Sequence, residues 1–142
     1  MIIYLDTSDL VKLYVLEKNS DQIRAHVNNS QVVATSIIAY AEARAAFARK
    51  FREKGLSESE YRKIIRTIDN DWENYFVLNI SEETIKLAGD LCEKHGLRGY
   101  DALHLASASI LKKSVSGTIY FSCSDSKLNK AAQKEKLGPV PN

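Results

Sequence analysis

Ile2-Ile3-Tyr4-Leu5-Asp6-Thr7-Ser8 is the stretch that decides the fold. Four apolar residues, closed at once by an acid and two hydroxyl residues, predict a buried strand running straight into a capped helix. Leu10, Leu13, Tyr14 and Leu16 continue at helical spacing, and Asp21 to Asn28 suits a second short helix. Val32 to Ala34 predicts a second buried strand. Thr35 and Ser36 are then expected to cap a long helix to about Arg52, with Ile38, Ala41, Ala45 and Ala48 on its apolar face and Gly55 as its stop. Ser57 opens another long helix with Tyr61, Ile64, Ile65, Ile68 and Trp72 inward.

The alternation goes on to the end of the chain. Phe76 to Leu78 is a candidate third strand. Ser81 opens a helix with Glu82 and Glu83 in its first turn, where the helix dipole favours acids, and Gly96 closes it. A helix over Tyr100 to about Lys112, a strand over Thr118 to Phe121 and a last helix from Asp125 to about Lys134 follow. Pro139 and Pro141 restrict the tail to an edge position. Strands alternating with helices predict an α/β fold of three layers, α/β/α, with a central parallel sheet. The helix pair between residues 36 and 75 exceeds a minimal crossover and is expected to protrude as an arm beside the sheet.

The bulk numbers agree with one domain over residues 1–142, since 44% hydrophobic residues suffice for a core without staples. Twenty basic against eighteen acidic residues leave +2, so an anionic partner must meet a local patch. Cys92 and Cys123 form no paired motif, which argues against zinc or a disulfide framework. No signal-peptide pattern opens the chain and no apolar run approaches a membrane span, so a cytoplasmic location is expected.

Four acids carry the chemistry. Open α/β sheets bind ligands beyond the carboxyl ends of their strands. Asp6 follows the first strand and Asp125 the fourth; Glu42 and Asp101 sit early in helices that begin near the same sheet edge. Each acid alone has an ordinary reading, as an N-cap, a dipole partner or a solvated face. Together they repel, at about 4 kcal/mol for one pair ~4 Å apart at an effective dielectric of 20. Such a cluster either holds protons or takes a divalent cation, and an all-oxygen set suits Mg²⁺ or Mn²⁺. These ions serve phosphoryl displacement by activating water.

The motifs around these acids resemble those of PIN-domain proteins, most closely the VapC toxins of toxin–antitoxin pairs. Tyr4-Leu5-Asp6-Thr7-Ser8-Asp9-Leu10-Val11-Lys12-Leu13-Tyr14 is similar to the family's opening motif, and Thr35 to Glu42 to its second. Gly99-Tyr100-Asp101-Ala102-Leu103-His104-Leu105-Ala106 resembles the third, which is the most specific, and Ser124-Asp125-Ser126-Lys127-Leu128 the fourth. The resemblance implies a PIN-like sandwich and a Mg²⁺- or Mn²⁺-dependent endoribonuclease. It implies that Asp6, Glu42, Asp101 and Asp125 form a catalytic and metal-binding site, and that the partners are RNA, a VapB-like antitoxin and a second copy of the chain. One departure stands out. The family often has Thr or Ser two residues before the fourth acid, where Cys123 stands; Ser122 or Ser124 is left to supply a hydroxyl.

Other residues divide between roles. Ser8 orients Asp6 or a bound water, or simply bonds the backbone. Lys12, one turn on, is a candidate phosphate contact or a surface lysine. Arg49, on roughly the face of Glu42 and in a run with Lys50, Arg52 and Lys54, is a candidate substrate or antitoxin contact. His104 is expected to be a buried, hydrogen-bonded core residue, and Tyr61, Trp72 and Phe76 to be core. Two other classes stay open. A phosphotransfer protein, receiver or phosphatase, also places an acid after strand one, although Ser8 stands where a phosphatase carries a second Asp. The other is a catalytically inactive domain that binds RNA or a partner.

Overall fold

The computed structural model describes all 142 residues. Its sheet has five parallel strands in the order β3-β2-β1-β4-β5: β1 (Ile2–Leu5), β2 (Val32–Ser36), β3 (Phe76–Leu78), β4 (Ile119–Ser122) and β5 (Gly138–Pro139). Seven helices complete it: α1 (Thr7–Val11), α2 (Ser20–Asn28), α3 (Ile38–Arg52), α4 (Glu58–Trp72), α5 (Glu82–His95), α6 (Gly99–Lys113) and α7 (Ser126–Lys134). The chain leaves β1 toward β2 and β3, then returns on its other side to β4. β1 is therefore the switch point at which such sheets open a crevice.

Successive side chains of a strand face opposite ways, and β1 shows what this does. Tyr4 enters a core with Ala88 and Leu91 of α5, Leu105 of α6, Phe121 of β4 and Leu128 of α7. Ile3 and Leu5 enter the other core, with Leu10 of α1, Ile23 of α2, Phe47 of α3 and Ile64 and Ile68 of α4. The two cores are the two faces of the three-layer sandwich. The helix pair α3–α4 is an arm whose inner side belongs to the second core. Serines 57 and 81 each close a capping box, on α4 and α5.

Five local expectations need correction. Helix α1 has five residues, and Leu16 beyond it is exposed. Thr35 and Ser36 end β2 instead of capping α3: the Thr35 hydroxyl donates to the Leu5 carbonyl, and the Ser36 hydroxyl accepts from the Ile38 N–H. The buried face of α3 is Ala39, Ala43 and Phe47, where Phe47 joins the core formed with α1 and α4. The left-handed residue that ends α3 is Lys54, with φ 60°, not Gly55. Phe76, expected in the core, is half exposed on the edge strand β3.

Candidate active site

Asp6 follows the last residue of β1 and caps α1. Its backbone N–H donates to the Ser122 carbonyl of β4 (3.1 Å), which ties it to the switch point. The residue is 5% exposed. Both of its hydrogen bonds fall on Oδ1, from the Ser8 hydroxyl (2.7 Å) and the Asp9 N–H (3.0 Å). Burial pushes the Asp6 pKa up to about 6; those two bonds only partly oppose it, and the charge of Asp9 adds to the rise.

Glu42 lies on the second turn of α3 and reaches a different set of partners. Its Oε1 accepts from the Thr7 hydroxyl (2.6 Å) and from His104 Nε2 (3.0 Å). A carboxylate can only accept, so Nε2 carries a proton, and in the neutral ring Nδ1 accepts from the Tyr4 hydroxyl (2.8 Å). Burial works against the charge of Glu42, but the bonds from His104 and Thr7 outweigh it and hold the carboxyl below its usual pKa. His104 is 3% exposed, the expected core residue, yet it also braces an acid of the site.

Asp101, in the first turn of α6, faces Arg98 (Nε to Oδ2, 3.4 Å). Asp101 and Glu42 line one cleft of about 660 Å³ with Arg98, Tyr100 and Leu103. Asp125 caps α7, accepting from the Leu128 N–H (2.8 Å), and its chain neighbour Cys123 has its thiol pKa raised by burial and by the charges of Asp6, Asp9 and Asp125. The four acids therefore stand around the carboxyl ends of β1, β2 and β4. They are not drawn into a closed cluster: no three carboxylate, histidine or cysteine side chains are gathered closely enough to hold a metal ion. In chemistry the set fits a hard divalent cation, being all oxygen, and the buried Asp6 carboxylate has an Oδ2 with no protein donor.

The remaining expected residues separate. Ser8 is exposed and bonded to Asp6. Lys12 is buried, with Nζ on Asp9 Oδ1 (3.2 Å) and on the Ser124 hydroxyl. Arg49 pairs with Glu53 (3.0 Å) on the exposed end of α3 and does not line the Glu42–Asp101 cleft. Sequence reasoning overlooked Thr7, Tyr4 as a polar partner, and Asp9. Asp9 and Lys12 are three residues apart in a helical stretch, a spacing at which opposite charges meet. No helix is long and apolar enough to cross a membrane.

A family model described as PIN domain matches residues 3–133. Ribonuclease VapC45 of Mycobacterium tuberculosis is 35% identical over 111 residues, covering 75% of this chain and 74% of that protein. Among solved structures, FitAcB from Neisseria gonorrhoeae superposes with TM-score 0.71 at 17% identity, over 98% of this chain and 96% of that one. VapBC2 from Rickettsia felis, bound to a DNA fragment from its promoter, gives 0.61 at 16% identity over 92% of each chain. At these identities the two structures speak for the fold alone.

Proposed function

The chain belongs to the PIN-domain family, and on that premise we propose that it is a VapC-type endoribonuclease, the toxin of a type II toxin–antitoxin pair, which hydrolyses RNA phosphodiester bonds with Mg²⁺ or Mn²⁺. The observation that carries this reading is the family match over residues 3–133 with one acid at each of the four motif positions. A VapB-like antitoxin, a second copy of the chain and a cytoplasmic setting go with the same reading.

In this mechanism Asp6, Glu42, Asp101 and Asp125 hold the cation, and Asp6 and Asp101 are its principal ligands. When bound, a divalent ion activates water and stabilises the departing oxygen of a phosphoryl displacement. The chain's own groups prepare that event. Ser8 fixes the orientation of Asp6 through Oδ1 and leaves Oδ2 free. Thr7 and His104 keep Glu42 ionised and in one rotamer. Arg98, on the rim beside Asp101, is a cation available to an RNA phosphate. Arg49 and Lys50 are reserved for RNA backbone or antitoxin beyond the reaction centre. Lys12 is held on Asp9 and on the Ser124 hydroxyl, away from phosphate.

The test is RNA cleavage with Mg²⁺, with Mn²⁺ and with chelator, by wild type, Asp6→Asn and Asp101→Asn. Cleavage by wild type with either metal, and a fall of about a hundredfold or more in each variant, is expected for loss of a group that stabilises the transition state. Cleavage by both variants at the wild-type rate refutes the site. Growth arrest on induction, relieved by a small neighbouring gene product, tests the toxin role.

A further inference from the structure

Asp9 is 2% exposed, and it lies three residues from an acid that is equally buried from solvent. Its surroundings are different in kind. Oδ2 accepts from the Ser122 hydroxyl (2.6 Å). Oδ1 accepts from the Ser124 hydroxyl (2.6 Å) and from Lys12 Nζ (3.2 Å). Three donors from two distant parts of the chain engage both oxygens of one carboxylate, and Lys12 supplies the counter-charge without which burial would be costly.

The partners are placed where position matters. Ser122 is the last residue of β4, and its carbonyl already accepts the Asp6 N–H. Ser124 immediately precedes Asp125. Ser122 closes β4 and Ser124 lies in the bend that follows, and both hydroxyls reach the Asp9 carboxylate, while the Cys123 thiol donates to the Asp125 carbonyl (3.4 Å). The far side of the same loop is held by Asn129, whose side-chain amide donates to the Cys123 carbonyl (3.0 Å). Helix α1, with five residues, has little internal stiffness to fix Asp6 against this loop.

We infer that Asp9, with Lys12 as its counter-ion, is a positioning residue: it clasps the loop carrying Asp125 onto the helix that Asp6 caps, and so sets the spacing of those two acids. Its importance for metal binding and cleavage rests on the ribonuclease reading above. The clasp also explains how a cysteine is tolerated at 123. The hydroxyls that organise the loop come from its two neighbours and are directed at a carboxylate on α1.

Two paired variants test this. Ser122→Ala/Ser124→Ala keeps both charges and removes the clasp; Asp9→Asn/Lys12→Met removes the charge pair together and leaves no unpaired buried ion. Each is compared with wild type by amide exchange over residues 122–129, Mn²⁺ affinity by electron paramagnetic resonance, and kcat and KM on RNA. The expected result is a folded protein with faster exchange in that loop, Mn²⁺ affinity lower by about 10–100-fold as for other groups that orient metal ligands, and a fall in kcat with KM little changed. Wild-type exchange in the serine pair overturns the clasp, and faster exchange with unchanged Mn²⁺ affinity overturns its positioning role. If wild type itself neither binds Mn²⁺ nor cleaves RNA, the ribonuclease reading falls. The exchange of residues 122–129 then decides the clasp alone: faster exchange supports it and unchanged exchange overturns it.

Discussion

His104→Ala removes a side chain that joins two layers of the site, and its cost can be worked from the contacts. The bond from Nε2 to Glu42 has an ionised acceptor, worth about 1.5–3 kcal/mol, and the bond from Tyr4 is neutral and worth about 1 kcal/mol. The void left beside Tyr4 and Leu105 adds about 1 kcal/mol, at the low end for a truncated buried side chain. The sum is about 4 kcal/mol, or roughly 12 °C in Tm for a chain of this size. His104→Gln places an amide N–H where Nε2 was. It should restore the Glu42 bond and recover about 2 kcal/mol, at the cost of the Tyr4 contact. Urea unfolding at neutral pH in chelator gives both differences, and RNA cleavage by the same variants shows whether bracing Glu42 matters for turnover. The reasoning fails if His104→Ala lies within about 1 kcal/mol of wild type, or if Gln is no better than Ala.

Two further outcomes follow from the charges. Asp6 has its pKa raised from 3.8 to about 6, chiefly by burial, so the folded state binds its proton more tightly than the unfolded chain. That contribution to stability is present at low pH and is lost as pH rises from about 4 through about 6. Asp6→Asn, still a good N-cap, should therefore be more stable than wild type at pH 7.5 in chelator, by on the order of 2 kcal/mol in thermal unfolding, while losing cleavage; a less stable variant under those conditions contradicts it. Glu135 is the opposite case: burial opposes its charge, but bonds from Lys94 and His95 (2.7 Å each) hold its pKa down. Its contribution is present above the unfolded value near 4.3 and is lost as pH falls through the depressed one, so Glu135→Gln should cost about 1 kcal/mol at pH 7 and progressively less as the solution is acidified, read from the pH dependence of Tm.

Much of this arrangement is legible in the order of residues, and the limits have physical causes. Apolar runs closed by turn or cap residues locate all four longer strands, most cleanly β1, which is buried on both faces and meets its first polar residue only at Asp6. The faces of α3 are another matter. Six alanines give several equivalent apolar stripes, and the packing of Phe47 in the core with α1 and α4, together with Phe51 stacked on Tyr61, selects one. Thr35 and Ser36 resemble helix caps because a hydroxyl serves equally well at a strand end, where Thr35 bonds the Leu5 carbonyl of the neighbouring strand. The acids at motif positions are readable one by one, whereas the groups that brace them are not. Thr7 and His104 meet Glu42 across 35 and 62 residues and Tyr4 meets His104 across 100, and periodicity has nothing to say about such contacts.

Asp6 and Asp9 show most clearly why composition alone underdetermines a site. They are the same residue type, three positions apart, on one short helix, and both are almost fully buried. Asp9 has a cation and two hydroxyls, which occupy both its oxygens. Asp6 has two donors on one oxygen, none on the other, and no cation of its own. A carboxylate satisfied by the protein is fixed and has little to gain from a ligand; one that is buried and half satisfied gains from any positive charge that reaches it. The difference comes from residues 122 and 124, more than a hundred positions downstream. On the proposed ribonuclease reading, the first motif therefore acquires its division of labour, one acid to hold and one to bind, only when β4 is laid beside β1.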